Sequence, residues 1–328
     1  MSDPSQAAAG TWRPTAAVSA LQRRAAMLSA AREFFAERGV MEVETPILSA
    51  AAVSDPQIES LVTRIAGMAA PFYMCTSPEY AMKRLLAAGS GDIYQICKVF
   101  RDGERGRWHN PEFTLLEWYR LDFDDTALMS EVETLVGRLL QPHRRLEPAE
   151  RLSYAAAIER HTGVDIHAAG DRDLMEAASR HGVDCRADLD RDAKLDLLMG
   201  LIVGPRLGRE RPCFICDYPA SQAALARLKP GLPPVAARFE FYLDGIELAN
   251  GFHELVNGAE QRTRFAQDLK LRQTRGQVTP PLDENLLAAL SAGVPDCSGV
   301  ALGFDRLAAI ALGATQLADA MAFTVDNA

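Results

Sequence analysis

The sequence predicts an α+β fold, because strand-like and helix-like stretches are segregated along it. Residues 92–101 alternate as a strand, the polar stretch DGERGRWHNP follows, and EFTLLEWYR alternates again, which reads as strand, long loop and strand. Further on, RFEFYL and IELAN flank Asp244-Gly245 and read as a hairpin with a two-residue turn. Between these two regions, about residues 125–235 carry mostly helical patterns and read as an inserted helical layer. A length of 328 residues is open to two or three domains or to one large unit.

Taken in order, residues 1–16 are rich in Ala, Ser, Thr and Pro without apolar periodicity and are expected to form a flexible N-terminal tail. Leu21, Ala25, Leu28, Ala31 and Phe35 then recur at helical spacing, and Gly39 stops the helix. VMEVETPIL is strand-like. Thr76-Ser77-Pro78-Glu79 opens a second helix with Pro in its first turn and a T-x-x-E capping pattern, running to Gly89. The insertion holds ALMSEVETLVGRLL, RDLMEAASRHG and KLDLLMGLIV, separated by Pro, Gly and Arg. After the hairpin come helices near 259–275 and 283–292, a Gly-spaced strand GVALG, and a helix starting at Asp305-Arg306. No internal repeat occurs.

A net charge of −9 with 48% apolar residues describes an acidic chain with ample core, which excludes disorder for most of it. No run of about 18 apolar residues and no basic segment followed by an apolar one is present, so the expectation is a cytoplasmic protein without membrane contact. The acidic balance argues against stable nucleic-acid binding, and any polyanion must meet a local basic site. The six cysteines are scattered through apolar runs as reduced thiols. Cys213 and Cys216 form a C-x-x-C without a second pair at zinc spacing, inside what looks like a buried strand.

Neither a G-x-x-x-x-G-K-[ST] loop nor a G-x-S-x-G elbow is present. The informative feature is charge at strand positions that are usually apolar. In the hairpin, Tyr242 is expected opposite Glu247 and Glu240 opposite Ala249, making the two glutamates diagonal neighbours at ~7 Å. Such a pair suits Mg²⁺, and equally suits two solvated carboxylates on an edge strand. Glu254 follows an Asn250-Gly251 break. In EFTLLEWYR the strand period puts Phe113, Leu115, Glu117 and Tyr119 on one face, a row fit to stack a base and grip an ammonium group, or simply to fill a core. Arg101 offers a planar fork for phosphate, or a surface ion pair. Gly299, Ala301 and Gly303 line one strand face and let a flat ligand approach the backbone, with Arg306 just beyond. Glu79 has a plain alternative as its helix's capping carboxylate.

Read together, these segments resemble the catalytic core of class II aminoacyl-tRNA synthetases of the lysine branch. EVETPIL looks like motif 1, FRDGERGRWHNPEFTLLEWYR like motif 2, and GVALGFDRL like motif 3, with ELANGFHEL between. The resemblance covers about residues 17–328. It implies an antiparallel six- or seven-stranded sheet flanked by helices, the helical insertion lying between motifs 2 and 3, and a homodimer interface around Pro46. Lysyl-tRNA synthetases carry an N-terminal anticodon-reading domain, whereas this core begins within about 20 residues and leaves no room for an anticodon-binding domain after motif 3. A truncated core of this kind is similar to the elongation factor P lysyltransferase family, whose members activate (R)-β-lysine with ATP and transfer it to one lysine of elongation factor P.

By position, the resemblance makes Arg101 and Arg306 the catalytic phosphate clamps. ATP is expected to meet Arg101, Asp102, Gly103, Glu104, His109, Asn110, Phe113, Glu247, Leu248, Gly303 and Arg306, with Phe113 under adenine. Glu240 and Glu247 match Mg²⁺ ligands. Ser77, Pro78, Glu79, Glu117, Tyr119, Asn250, Glu254 and Ala301 match the pocket for lysine or (R)-β-lysine. Two departures stand out. Motif 2 usually reads F-R-x-E, but here Gly103 precedes Glu104, so the carboxylate has moved one place. Motif 3 carries Ala301 where synthetases have Gly, and one added methyl excludes an α-amino group at ~1–3 kcal/mol while tolerating the β-isomer. The rival readings are a minimal lysyl-tRNA synthetase and a non-catalytic paralogue with a regulatory binding role. The loop at 101–107 and Arg144-Arg145 are the candidate docking sites for an acidic partner.

Overall fold

The structure, a computed structural model, describes residues 12–328. In chain order the helices are α1 (Val18–Ala36), α2 (Glu79–Ala87), α3 (Asp125–Leu140), α4 (Tyr154–Thr162), α5 (Asp171–Arg180), α6 (Arg191–Leu198), α7 (Gly258–Thr274), α8 (Glu284–Gly293) and α9 (Phe304–Ala311). The strands are β1 (Met41–Glu42), β2 (Leu48–Ser49), β3 (Val62–Thr63), β4 (Phe72–Met74), β5 (Ile93–Phe100), β6 (Glu112–Leu121), β7 (Glu150–Ser153), β8 (Cys213–Pro219), β9 (Leu228–Lys229), β10 (Val235–Leu243), β11 (Ile246–His253) and β12 (Cys297–Gly303).

One sheet dominates, in the order β1-β5-β6-β12-β11-β10-β8-β7, with β9 also paired to β10. The run from β5 to β8 is antiparallel, and β1 and β7 add parallel edges. Strands β2, β4 and β3 form a separate small sheet. The expected antiparallel sheet flanked by helices forms as the six strands from β5 to β8, but β1, β7 and β9 enlarge it to nine strands rather than six or seven.

Strand alternation sends successive residues to opposite faces, and this divides the molecule. Beneath the sheet, Leu116, Trp118, Phe239, Phe241 and Leu302 pack on α1, α3 and α9, where Phe35 stacks on Tyr94 at 4.3 Å. Above it, Tyr119, Ile93 and Cys297 meet Met82 and Leu86 of α2, Phe265 of α7 and Leu287 of α8. A third core joins α4, α5 and α6 to Ile215 and Tyr218 of β8. The stretch at 125–235 is therefore not a purely helical insertion. Its first helix, α3, lies in the main core, and β7, β8 and β9 join the main sheet.

Several local expectations are corrected. VMEVETPIL is not a continuous strand, since only its ends pair, as β1 and β2, and Pro46 lies between them. The hairpin turn forms at Asp244-Gly245, both at positive φ, as a two-residue turn requires. Beyond it, a bulge at Leu248 lets both Leu248 and Ala249 enter the core, so Glu240 stands opposite Asn250 rather than Ala249. Asn250-Gly251 is no break, because both residues pair within β11, and a Cβ on Gly251 would collide with the Phe239 ring. The T-x-x-E pattern does not cap α2, whose Glu79 turns to Lys83 instead. Of the expected N-terminal tail, residues 1–11 lie outside the described residues. Residues 12–16 are tied down, with Thr15 and Ala16 N–H groups bonded to Ala322 and Met321 carbonyls. Cys213 and Cys216 lie on β8, and burial pushes their thiols to about 12 and about 11, so both stay protonated at neutral pH. No helix among the described residues is long and apolar enough to cross a membrane.

Candidate active site

The upper face of the sheet carries a cleft floored by β6, β12, β11 and β10 and walled by α2 and the loop at 51–60, enclosing about 240 Å³. Arg101 sits where β5 ends, its N–H bonded to the Pro111 carbonyl across the loop between β5 and β6. Its guanidinium lies 5.1 Å over the Phe113 ring, donates to the Thr76 carbonyl at 3.4 Å, and pairs with Glu104 at 3.5 Å. The displaced carboxylate of motif 2 is thus turned toward Arg101. Asp102 and Gly103 form the exposed turn between them, the Gly103 N–H donating to Asp102 Oδ1.

Arg306, in the first turn of α9, donates to the Trp108 carbonyl at 3.2 Å and the Glu247 carbonyl at 2.9 Å. It also reaches His109 Nε2 at 2.7 Å. Arginine has no acceptor, so Nε2 accepts and the ring proton sits on Nδ1. Partial desolvation and the Arg306 charge hold the His109 pKa below its usual value, keeping the ring neutral at pH 7. Asn110 is buried, with its amide spent on the Glu112 carbonyl and the Val325 N–H, so it braces the loop rather than facing the cleft. Leu248 also sends its side chain into the core; its carbonyl lies near Gly303.

On the hairpin, Glu240 accepts from Arg238 at 2.7 Å and from the Tyr242 hydroxyl at 2.6 Å. Glu247 stands opposite Tyr242, and enclosure plus the Glu240 charge raise its carboxyl to about 7 against the opposing arginines 306, 238 and 101. Two oxygen donors whose repulsion is only partly cancelled fit a hard divalent cation.

The deep end of the cleft is anionic. Glu117 and Glu254 are 2% and 1% exposed, and Glu79 projects from the start of α2. Tyr119 donates to Glu117 at 2.8 Å, which confirms that both stand on one face of β6. Lys83 Nζ lies 2.7 Å from both Glu79 Oε1 and Glu254 Oε2. Burial raises Glu117 well above the carboxylate range and Glu254 to about 8, with the neighbouring Glu79 charge adding to both. Glu117 Oε2, Glu254 Oε1 and Asn250 Oδ1 are buried acceptors without a hydrogen-bond donor. Ala301, level with Glu117 on one side and Asn250 on the other, lines the same space. Gly299 is required there: a Cβ would overlap the Tyr119 ring and lie 2.6 Å from Glu254 Oε1. Ser77 and Pro78 form the turn into α2, the Ser77 hydroxyl accepting from the Glu79 N–H.

The fold therefore brings Ser77, Pro78, Glu79, Arg101, Glu117, Tyr119, Asn250, Glu254 and Ala301 together in the lining of one cleft. Glu104, His109, Glu247 and Arg306 cluster around Arg101, while Asn110 and the side chain of Leu248 turn away. Charged residues of the cleft were missed, Lys83 and Arg238 among them. Lys83 stands at i+4 from Glu79, and Arg238 at i−2 from Glu240 on one strand face, so both spacings were open to reading. Arg238 is sandwiched between Glu240 and the Tyr218 ring, 4.3 Å from its centroid.

The family described as tRNA synthetases class II (D, K and N) matches residues 8–327. Curated relatives from Salmonella dublin, Salmonella arizonae and Salmonella paratyphi B, each named elongation factor P–(R)-β-lysine ligase, are 51% identical over 324 residues. That span covers 97% of this chain and 98% of theirs. With the sheet, the loop arginine and the anionic cleft in place, the chain belongs to the class II tRNA synthetase family of the D, K and N type.

Proposed function

We propose that this chain is a ligase that activates (R)-β-lysine with ATP and transfers the lysyl group to a lysine side chain of elongation factor P. The observation that carries this reading is a buried carboxylate pair, Glu117 and Glu254, with the half-buried Glu79 beside it, in the same cleft as Arg101, while Arg306 and Arg101 both face the neighbouring Glu247. The cluster accepts ammonium groups and the arginines accept phosphate and carboxylate, which is the charge pattern of a diamino acid beside a nucleotide. The names of the Salmonella relatives point to the same substrates.

In the first step the amino-acid carboxylate attacks the α-phosphorus of ATP, forming a C–O–P linkage and expelling pyrophosphate. Arg101 holds the α-phosphate and Phe113 stacks the base, while Arg306, steadied by the loop carbonyl of Trp108 and the β11 carbonyl of Glu247, takes the outer phosphates. Neutral His109 leaves the Arg306 charge undiminished. Glu240 and Glu247 are the residues that would hold Mg²⁺, which would supply further charge neutralisation on the phosphate oxygens. In the second step the neutral amine of the acceptor lysine attacks the acyl carbon, forming an amide and releasing AMP. The chain's own contribution is positioning and electrostatic preorganisation. Met41, Ile47, Leu48 and Val62 leave apolar surface exposed around Pro46, which supports a homodimer through this segment, to be checked by sedimentation.

Intact-mass measurement of elongation factor P after incubation with the enzyme, ATP, Mg²⁺ and either α-lysine or (R)-β-lysine tests the reading. A lysyl-sized gain, faster with the β-isomer, is expected. No gain, with labelled lysine on tRNA in a parallel tube, makes the chain a minimal lysyl-tRNA synthetase instead.

A further inference from the structure

Lys83 has no part in the steps above, yet it lies at the centre of the anionic cluster. Its side chain is 1% exposed, as is that of Glu254, and it bridges Glu79 and Glu254 with two 2.7 Å contacts. Burying an ammonium is costly unless it is fully paired, and removing one partner of such a pair strands the other charges. Glu254 is faced by Glu79 and Lys83 from α2, Glu117 and Tyr119 from β6, and Cys297 and Gly299 from β12. On the outer side Arg227, paired with Asp296, binds the Glu254 carbonyl. The Tyr119 phenol and Cys297 thiol are raised and stay neutral, so Lys83 supplies the cation that reaches both carboxylates. With all groups ionised, three carboxylates against one ammonium leave two negative charges. A ligand with two ammonium groups balances them; a monoamine leaves one carboxylate without a counter-charge.

We propose that Lys83 is a positioning residue that bridges and orients the Glu79 and Glu254 carboxylates, and so sets the pocket's charge to the value a diamino acid neutralises. The inference rests on the amino-acid-binding reading given above. Burial and Glu79 already raise the Glu254 carboxyl, and Lys83 opposes them. Without the ammonium that carboxyl keeps its proton to still higher pH, and an ammonium ligand must work harder to ionise it.

The test is calorimetric titration of α-lysine and (R)-β-lysine, without ATP, into wild type, Lys83→Arg, Lys83→Met and the double variant Lys83→Met/Glu117→Gln between pH 6 and 9.5. Lys83→Met is expected to weaken binding at least about 10-fold at pH 7 and to move the acid limb of the binding profile up by about one pH unit or more, a tenfold change per unit. Lys83→Arg keeps the limb in place. The double variant, which again leaves two net negative charges, moves it back. An unmoved limb in Lys83→Met, or a double variant as impaired as the single one, overturns the proposal. If Lys83→Met does not fold, a folded and binding double variant supports the charge balance, and an unfolded one overturns it. Folded wild type that binds neither amino acid overturns the functional reading itself, and the inference with it.

Discussion

Arg101 is held by contacts that a phosphate group can replace: a 3.4 Å bond to the Thr76 carbonyl and a 3.5 Å pair with Glu104. Both are long, so the guanidinium is presented rather than locked, and its stacking on Phe113 keeps the plane aimed at the cleft. Arg101→Ala should lower ATP–pyrophosphate exchange by about 10²–10³-fold or more, the loss typical of one charge-stabilising donor, while the fold by circular dichroism is unchanged. Near-normal exchange would remove Arg101 from the mechanism. Ala301 stands level with both Glu117 and Asn250, so its methyl intrudes on the ammonium pocket from the floor. Ala301→Gly should raise kcat/KM for α-lysine relative to (R)-β-lysine by about tenfold, as expected when one methyl is removed from a close-fitting site. An unchanged ratio would place isomer selection elsewhere.

Among the elements, β12 is the one whose sequence is most narrowly constrained. Its lower face packs Val300 and Leu302 into the core, and its upper face must be almost flat, because the Tyr119 ring and Glu254 lie directly against Gly299. Gly299→Ala should lower the melting temperature, at a cost of about 1–3 kcal/mol for an overpacked methyl, and should raise KM for the amino acid more than for ATP. Equal effects on both would mean that the strand, and not the pocket, had given way. The bulge in β11 shows a different constraint. One extra residue, Leu248, drops its side chain into the apolar layer and resets the register so that Asn250, not Ala249, faces the cleft beside Glu240.

Across the whole molecule, the site is bought with buried charge. Glu117, Glu131 and Glu254 are buried and have carboxyls raised by desolvation first of all, and desolvation also leads the upward shift of the less buried Glu247. An acid whose folded pKa lies above its unfolded value binds more protons in the folded state, so its contribution to stability is lost as pH rises through that window. With Glu247 at about 7 and Glu254 at about 8 against an ordinary value of 4.5, denaturant stability of the ligand-free protein should fall as pH rises from the ordinary carboxylate range, still be falling at pH 6.5, and level off above about 8. His109 and His161, both lowered, are neutral above pH 6.5 and do not offset it there. A diamino-acid ligand should restore stability more at pH 8.5 than at 6.5. A stability that rises across this interval would show that the carboxyls ionise normally. The termini are drawn into the same assembly: Thr15 and Ala16 pair with Ala322 and Met321, while Val325 and Asp326 hold Asn110 and Arg105 of the loop beside the cleft.

Much of this was open to reading from periodicity alone. The Asp244-Gly245 hairpin, the shared face of Glu117 and Tyr119, the small residues of β12 and most helices follow from local rules of spacing and turn chemistry, which act over a few residues. What local rules do not carry is pairing over long separations. The joining of β7 and β8 to the main sheet, the loss of strand structure at 43–47, the bulge at Leu248 and the docking of residues 12–16 each depend on surfaces supplied by distant segments. Glu79 makes the same point: its own neighbours suggest a helix cap, and its partner is chosen by Lys83, one turn along the helix, together with Glu254, 175 positions away by the numbering of the chain. Sequence spacing therefore defined which chemical groups the chain owns and which faces they share, and burial in the assembled core defined their charge.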